Sequence, residues 1–254
     1  MSLMMQETAS VDVDLANAKD SVLGKLDLIL GVFAQGDRKV GLTELSRRST
    51  VPKATAYRLA SALTSMGFLR KSAEGYELGW RLFEMGQIVP GPTILREIAR
   101  PHLVDLRESV HAAVVHLAVE HDGECVYLER IAGRQAAPHI GRVSMRVSDL
   151  STASARLIAA YREGVMAPGA AAEIRLRRWA SESGECVPGL RTVAVPVFAP
   201  GSTTHPIAAI SAGIGVGRTD DERVLRALWG TAVDIGADLF RPRPSGRHLD
   251  LDDY

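Results

Sequence analysis

Residues 42–71 read LTELSRRSTVPKATAYRLASALTSMGFLRK, and two helical patterns lie in them with a tight break between. Thr43 can cap a short helix, TELSRRS, whose buried anchor is Leu45. The turn STV follows. Pro52 can then open a second helix, because its missing N–H costs nothing at a first helical position. Along PKATAYRLASALTSMG, Ala56, Leu59, Ala60 and Leu63 recur at the spacing of an inward stripe. Lys53, Thr55, Tyr57, Arg58 and Ser61 fall mostly on the other side, and Gly67 ends the helix. FLRK, SAEG and YEL then give two short strands around a glycine-containing turn, a β-wing with Arg70 and Lys71 placed at its tip. Upstream, Ser21 to Gly36 carries Leu23, Leu26, Leu30 and Phe33 at helical spacing.

Helix, short helix, turn, helix and hairpin is the order of a winged helix-turn-helix, whose second helix of the pair fits the DNA major groove. Charge agrees. From Arg38 to Lys71 there are eight Lys or Arg and one acidic residue, Glu44, giving +7 within a chain whose thirty basic and thirty acidic residues cancel. Such a basic island is the footprint of phosphate binding. Arg47, Arg48, Arg70 and Lys71 are placed to hold the backbone of double-stranded DNA. Lys53, Thr55, Tyr57 and Arg58 are placed to read bases, and Thr43 and Ser61 are further DNA-binding candidates. RNA or protein is the other partner a winged helix can serve.

With 254 residues, 46% of them apolar, the chain has material for two domains. No apolar run reaches the roughly 18 residues needed to cross a bilayer. The acidic start, MSLMMQETASVDVDL, lacks the parts of a signal peptide, so no membrane partner and a cytoplasmic location are expected. Two cysteines, Cys125 and Cys186, make no disulfide framework. Residues 1–19 and 242–254 read as tails.

The winged domain is expected over 20–86, with GWRLFEMGQIV as a further helix. A linker at 87–94 contains the chain-breaking PGP, and an effector-binding and oligomerisation domain follows at 95–241. There LREIARPHLVDLRESV is helical, with Pro101 kinking it or opening a second helix. AAVVHLAVE and CVYLERI alternate as strands around Asp122-Gly123, a hairpin signal. SDLSTASARLIAAYREG turns helical near Ser151–Thr152, and AAAEIRLRRWASES reads as a helix carrying Trp179. RTVAVPVFAP and HPIAAISAGIGVG are strands. Thr219 to Glu222 is a capping box for a last helix. The fold class is α+β, with a sheet covered by helices on one face and a cup for a ligand on the other.

Taken in order, LTELSRRSTVPKATAYRLASALTSMGFLRK, GYELGWRLFEMG, LREIARPHLVDLRESV, VVHLAVEHDGECVYLERI, LSTASARLIAA, GLRTVAVPVFAPG and PIAAISAGIG resemble the IclR family of transcriptional regulators over residues 20–240. The resemblance implies a winged helix-turn-helix joined to a GAF-like α/β effector-binding domain. It also implies homodimers, or dimers paired into homotetramers, on palindromic operators, with small organic effectors such as carboxylates from carbon or aromatic catabolism. Carried over residue by residue, the effector-binding positions are Ala136, His139, Val147, Thr152, Ala153, Ser154, Glu182, Thr192 and Ser211. The chain departs from the family pattern at Leu150, Ala155, Arg156 and Gly213, where His, Gly, Lys and a second polar residue are usual, and its 160–189 stretch is short.

The function expected is therefore a ligand-responsive DNA-binding regulator, a repressor in the first instance. The alternatives are a regulator whose C-terminal domain no longer responds to ligand, and an enzyme with an accessory winged helix. The enzyme reading has nothing behind it in the sequence, since no nucleophile–base pair is visible, and no cofactor is called for. His111, His116 and His121 are spaced for neither one helix face nor one strand face, so no metal is expected and His116 is read as a sheet residue.

Overall fold

The computed structural model describes residues 20–34, 36–133, 141–217 and 221–241. Contacts divide the chain between Val89 and Pro90 into two units.

In the first unit, α1 (Val22–Ala34), α2 (Leu42–Ser49) and α3 (Lys53–Ser65) pack around one apolar cluster, and the hairpin β1 (Leu69–Ser72)/β2 (Gly75–Leu78) follows. Leu45 and Ile29 are fully buried at its centre, and Ala56, Leu59, Ala60 and Leu63 form the inward stripe of α3 as expected. On α1 the stripe is instead Ile29, Val32 and Phe33, and Leu23 is exposed. The break between α2 and α3 is made by Thr50 in the left-handed region (φ 58°) and by the Ser46 hydroxyl, which donates to the Val51 carbonyl at 2.7 Å. Two boundary details differ from expectation. Gly41, not Thr43, is the cap of α2, and Thr43 lies inside the first turn. Pro52 is the cap of α3 rather than its first residue, its fixed φ leading the chain into the helix. α4 (Trp80–Gly86) has no buried residue.

In the second unit a six-stranded antiparallel sheet has the order β5-β4-β3-β8-β7-β6. Its strands are β3 (Val114–His121), β4 (Glu124–Ala132), β5 (Arg146–Val147), β6 (Ala180–Ser183), β7 (Leu190–Phe198) and β8 (Pro206–Gly215). Asp122 (φ 52°) and Gly123 (φ 84°) close the β3–β4 hairpin, and two positive φ values in succession are what a two-residue type I′ turn requires. α5 (Pro90–Ser109) and α8 (Asp221–Leu239) cover one face through Leu95, Leu103, Leu228 and Ile235. α6 (Ala153–Ala160) and α7 (Pro168–Arg177) pack on the other, so the sheet carries helices on both faces rather than one.

Several boundaries are corrected. Residues 90–94, expected in the linker, form the start of α5, and Pro101 lies inside that one helix. The run read as a single helix to residue 183 ends at Arg177, and Ala180–Ser183 is an edge strand. Arg178 turns left-handed (φ 58°) and terminates α7, so Trp179 is not helical and lies under the Arg177 guanidinium, 4.2 Å from its ring centre. Residues 1–19 and 242–254, Ala136, His139 and half of the capping box at Thr219 to Glu222 lie outside the described residues.

Candidate functional site

The solvent side of α3 carries Lys53, Tyr57, Arg58 and Ser61, all exposed, with Thr55 half-buried at its edge. Tyr57 leaves 51% of its surface open and lies 6.0 Å below the Lys71 ammonium, so the wing and α3 share one surface. The eight cations between Arg38 and Lys71 divide into two groups. Lys39 is paired with Glu74, Arg47 with Glu44, Arg48 with Asp37 and Arg70 with Glu77. Arg38, Lys53, Arg58 and Lys71 are in none of the ion pairs found among the described residues. Arg48 is the most committed: its side chain is 14% exposed, and its second guanidinium nitrogen donates to the Val32 carbonyl at 2.8 Å. Arg70 and Lys71 are not at the wing tip. They stand opposite Glu77 and Tyr76 in mid-strand, and the tip is Ala73–Glu74, whose carboxylate holds Lys39 at 2.8 Å.

In the second unit the part of the sheet that α6 and α7 leave open is a cavity of about 310 Å3. Strand register places two rows of side chains on this face. One runs Val114, Gly213, Thr192, Glu182 and the next His116, Ser211, Ala194, Ala180. Of the positions carried over from the family resemblance, Val147, Thr152, Glu182 and Thr192 line the cavity. Glu182 is 3% exposed and accepts the Glu185 N–H at 3.1 Å. It reaches the cavity because Ala180–Ser183 is a strand, which presents alternate residues to one face. Ala153, Ser154 and Ser211 lie behind the lining, fully buried, with the Ser154 hydroxyl donating to Ser211 Oγ at 3.1 Å.

Thr152 caps α6, accepting the Ala155 N–H at 3.1 Å, so the helix start survives the family departures at Leu150 and Ala155. Arg156 is a structural tie. It donates to the carbonyls of Leu150 at 2.7 Å and Ser181 at 2.9 Å, fastening the α6 entry loop to β6. Gly213 leaves its place in the row empty, since a Cβ there would stand 3.0 Å from Val114 Cγ1.

The cavity also contains groups that the sequence pattern did not single out. Tyr127 lines it, with its phenol hydrogen-bonded to the hydroxyls of Thr152 and Ser154. Burial and the nearby Cys125 push that phenol up to about 12, so it remains a protonated hydroxyl. His116 lines it too, its ring 4.7 Å from that of Tyr127. Burial, followed by the charge of Arg130, lowers its pKa to about 3, so the ring is neutral at ordinary pH. Both ring nitrogens are buried and have no hydrogen-bond partner among the described residues. The signal in the sequence was a lone polar residue inside the otherwise apolar run VVHLAV. No group of three side chains able to hold a metal occurs among the described residues, and no helix there is long and apolar enough to cross a membrane.

Comparison with known proteins fits this geometry. The IclR helix-turn-helix domain family matches residues 23–73. The transcriptional regulator XynR of Escherichia coli is 28% identical over 220 residues, 76% of this chain and 85% of that protein. KipR of Bacillus subtilis is 34% identical over 121 residues, 47% of this chain and 48% of that one. Among solved structures, an IclR homologue from Microbacterium hydrocarbonoxydans complexed with 4-hydroxybenzoate superposes with a TM-score of 0.76 at 24% identity, covering 86% of this chain and 98% of that one. Residues 23–73 thus match the IclR helix-turn-helix domain family, and over three quarters of its length the chain is similar to transcriptional regulators of the IclR family, whose fold the second unit shares.

Proposed function

We propose that this regulator binds a palindromic operator as a homodimer, or as a pair of dimers, and that a small organic effector in the second unit changes its operator affinity. In this reading the first unit, to Val89, would be the DNA-binding domain and the second, from Pro90, the effector domain. The carrying observation is the conjunction of an exposed, partly unpaired basic surface on α3 with a preformed cavity of about 310 Å3 in the same chain. That volume lies at the small end of the range for ligand sites, roughly 300–1,000 Å3. It suits a molecule the size of a substituted benzene ring.

Polar supply narrows the class. Among the described lining residues Asp149 and Glu182 are acidic, and the cationic one, Arg146, is already paired with Glu124 at 3.0 Å. A carboxylate effector would therefore be held by the N–H groups at the start of α6, around Thr152–Ser154, rather than by a guanidinium. Val114, Met145, Val147, Val187 and Leu190 would cover its apolar body. 4-Hydroxybenzoate, the ligand of the Microbacterium homologue, has this size and character. Lys53, Tyr57, Arg58 and Ser61 would face base edges, and Arg38 and Lys71 the phosphates. A cytoplasmic repressor released by its effector is the simplest form of the mechanism. Any coupling of about 1–3 kcal/mol would change operator affinity roughly 5- to 150-fold.

The test is an anisotropy titration of the full chain against DNA upstream of its own gene and against random DNA at about 0.15 M salt. The expected result is a specific preference of roughly 10³-fold or more, weakened or strengthened by the effector. Equal, weak binding to both DNAs would remove operator recognition from the proposal.

A further inference from the structure

His116 stands in the middle of β3, opposite Ser211 on one side and Arg130 on the other. Its imidazole is part of the cavity lining, yet neither nitrogen has a partner among the described residues. Buried polar side-chain atoms are normally hydrogen-bonded, and an exception in a ligand-sized cavity calls for a partner. The neighbours are already engaged. Ser211 is taken up by Ser154, and the Tyr127 phenol by Thr152 and Ser154. Gly141 lies against the ring so closely that a Cβ there would stand 2.2 Å from Nε2.

We propose that His116 sets which effector the cavity accepts, by hydrogen-bonding an uncharged hydroxyl carried by that molecule at the end remote from Glu182. The inference rests on the effector reading above. The distance between the two ends follows from the sheet: His116 and Glu182 are three strand spacings and two residues apart, about 16 Å at ~4.8 Å per strand and ~3.3 Å per residue. A compact ring compound that touches His116 therefore keeps its own anionic group near the α6 N-terminus, and Glu182 lies beyond it. The chemistry of the ring selects the group. Held neutral by burial and by the Arg130 charge, the imidazole offers a lone pair and one N–H but no positive charge. A hydroxyl, which both donates and accepts, fits it. A carboxylate there would have no cation from His116 to balance it, and a methyl would leave the nitrogens unsatisfied. A site built around a buried hydrogen-bonding group rejects the analogue lacking its partner more strongly than an apolar pocket rejects a change of size.

Calorimetric titration of the full chain with 4-hydroxybenzoate and with benzoate, a pair differing by one hydroxyl, tests this. The wild type should prefer 4-hydroxybenzoate at least tenfold. His116→Phe should bring the two affinities within about twofold of each other. His116→Asn, which keeps a donor and an acceptor, should restore part of the preference. A tenfold preference that persists in His116→Phe would overturn the assignment, as would a wild type that binds both probes equally. Either of those outcomes leaves the effector reading standing. If neither probe binds the wild type at millimolar concentration, the aromatic-acid effector reading fails and the His116 assignment with it.

Discussion

Arg48 separates two readings of the same basic island. By composition it belongs with the phosphate-binding cations; by geometry it is a brace, spanning from α2 to the Val32 carbonyl at 2.8 Å and to Asp37. Arg48→Ala removes a charge-assisted bond to a partly buried carbonyl, about 1.5–3 kcal/mol. It also removes an ion pair to a half-exposed carboxylate, at most about 0.5–1 kcal/mol after solvent screening. The expected loss is about 2–4 kcal/mol, which for a unit of this size lowers its melting temperature by roughly 8–32 °C at 4–8 °C per kcal/mol. Arg58, exposed on α3 and outside the observed ion pairs, should behave in the opposite way. Arg58→Ala leaves stability within about 0.5 kcal/mol. It should lower the slope of log affinity against log salt on random DNA by about 0.9 per bound copy. Between 50 and 200 mM salt that variant then loses roughly 3.5-fold less affinity than wild type for each copy. Thermal unfolding followed by circular dichroism and a salt series by anisotropy measure both effects on the same preparations. An Arg48→Ala protein with wild-type stability and a salt slope reduced as far as that of Arg58→Ala would refute the division into braces and contacts.

Three further outcomes are expected. Because His116 titrates near 3 in the folded chain and near 6.5 unfolded, the unfolded state takes up its proton first as pH falls. Stability is then complete above pH 6.5 and declines toward pH 3, by about 2 kcal/mol at pH 5. Urea melts of wild type and His116→Gln at pH 7 and 5 should differ by that amount, and parallel pH dependence in the two proteins would show the ring is not buried neutral. Gly141→Ala places a Cβ 2.2 Å from His116 Nε2 on a backbone at φ 60°, so overpacking and strain should cost about 1–3 kcal/mol and displace the ring. A denaturation midpoint equal to wild type would count against that contact. Ser154→Ala orphans the buried Ser211 hydroxyl and should cost about 1–2 kcal/mol, whereas Ser154→Ala with Ser211→Ala should recover much of it. Additive losses in the double variant would mean that the two hydroxyls do not depend on each other.

Local periodicity and turn chemistry made much of this chain legible. The inward stripe Ala56, Leu59, Ala60 and Leu63, the Asp122-Gly123 hairpin and the start of α6 at Thr152 were all readable because each depends on residues within a few positions of one another. Ion pairing was not. Glu74 and Glu77 neutralise Lys39 and Arg70 across the wing, and Asp37 and Val32 take Arg48 out of solvent, through contacts that no helical or strand period announces. The strand at Ala180–Ser183 was hidden for a related reason. Its four residues continue a helical composition, and only pairing with β7, Glu182 opposite Thr192, makes them extended and turns Glu182 into the cavity. Sequence by itself therefore determined the helix-turn-helix, the α+β class and the likeness to the IclR family, all carried by local pattern and order. Tertiary structure decided which cations remain outside ion pairs and that His116 is buried in the cavity without a partner among the described residues, because both are balances of desolvation and pairing among residues far apart in the chain.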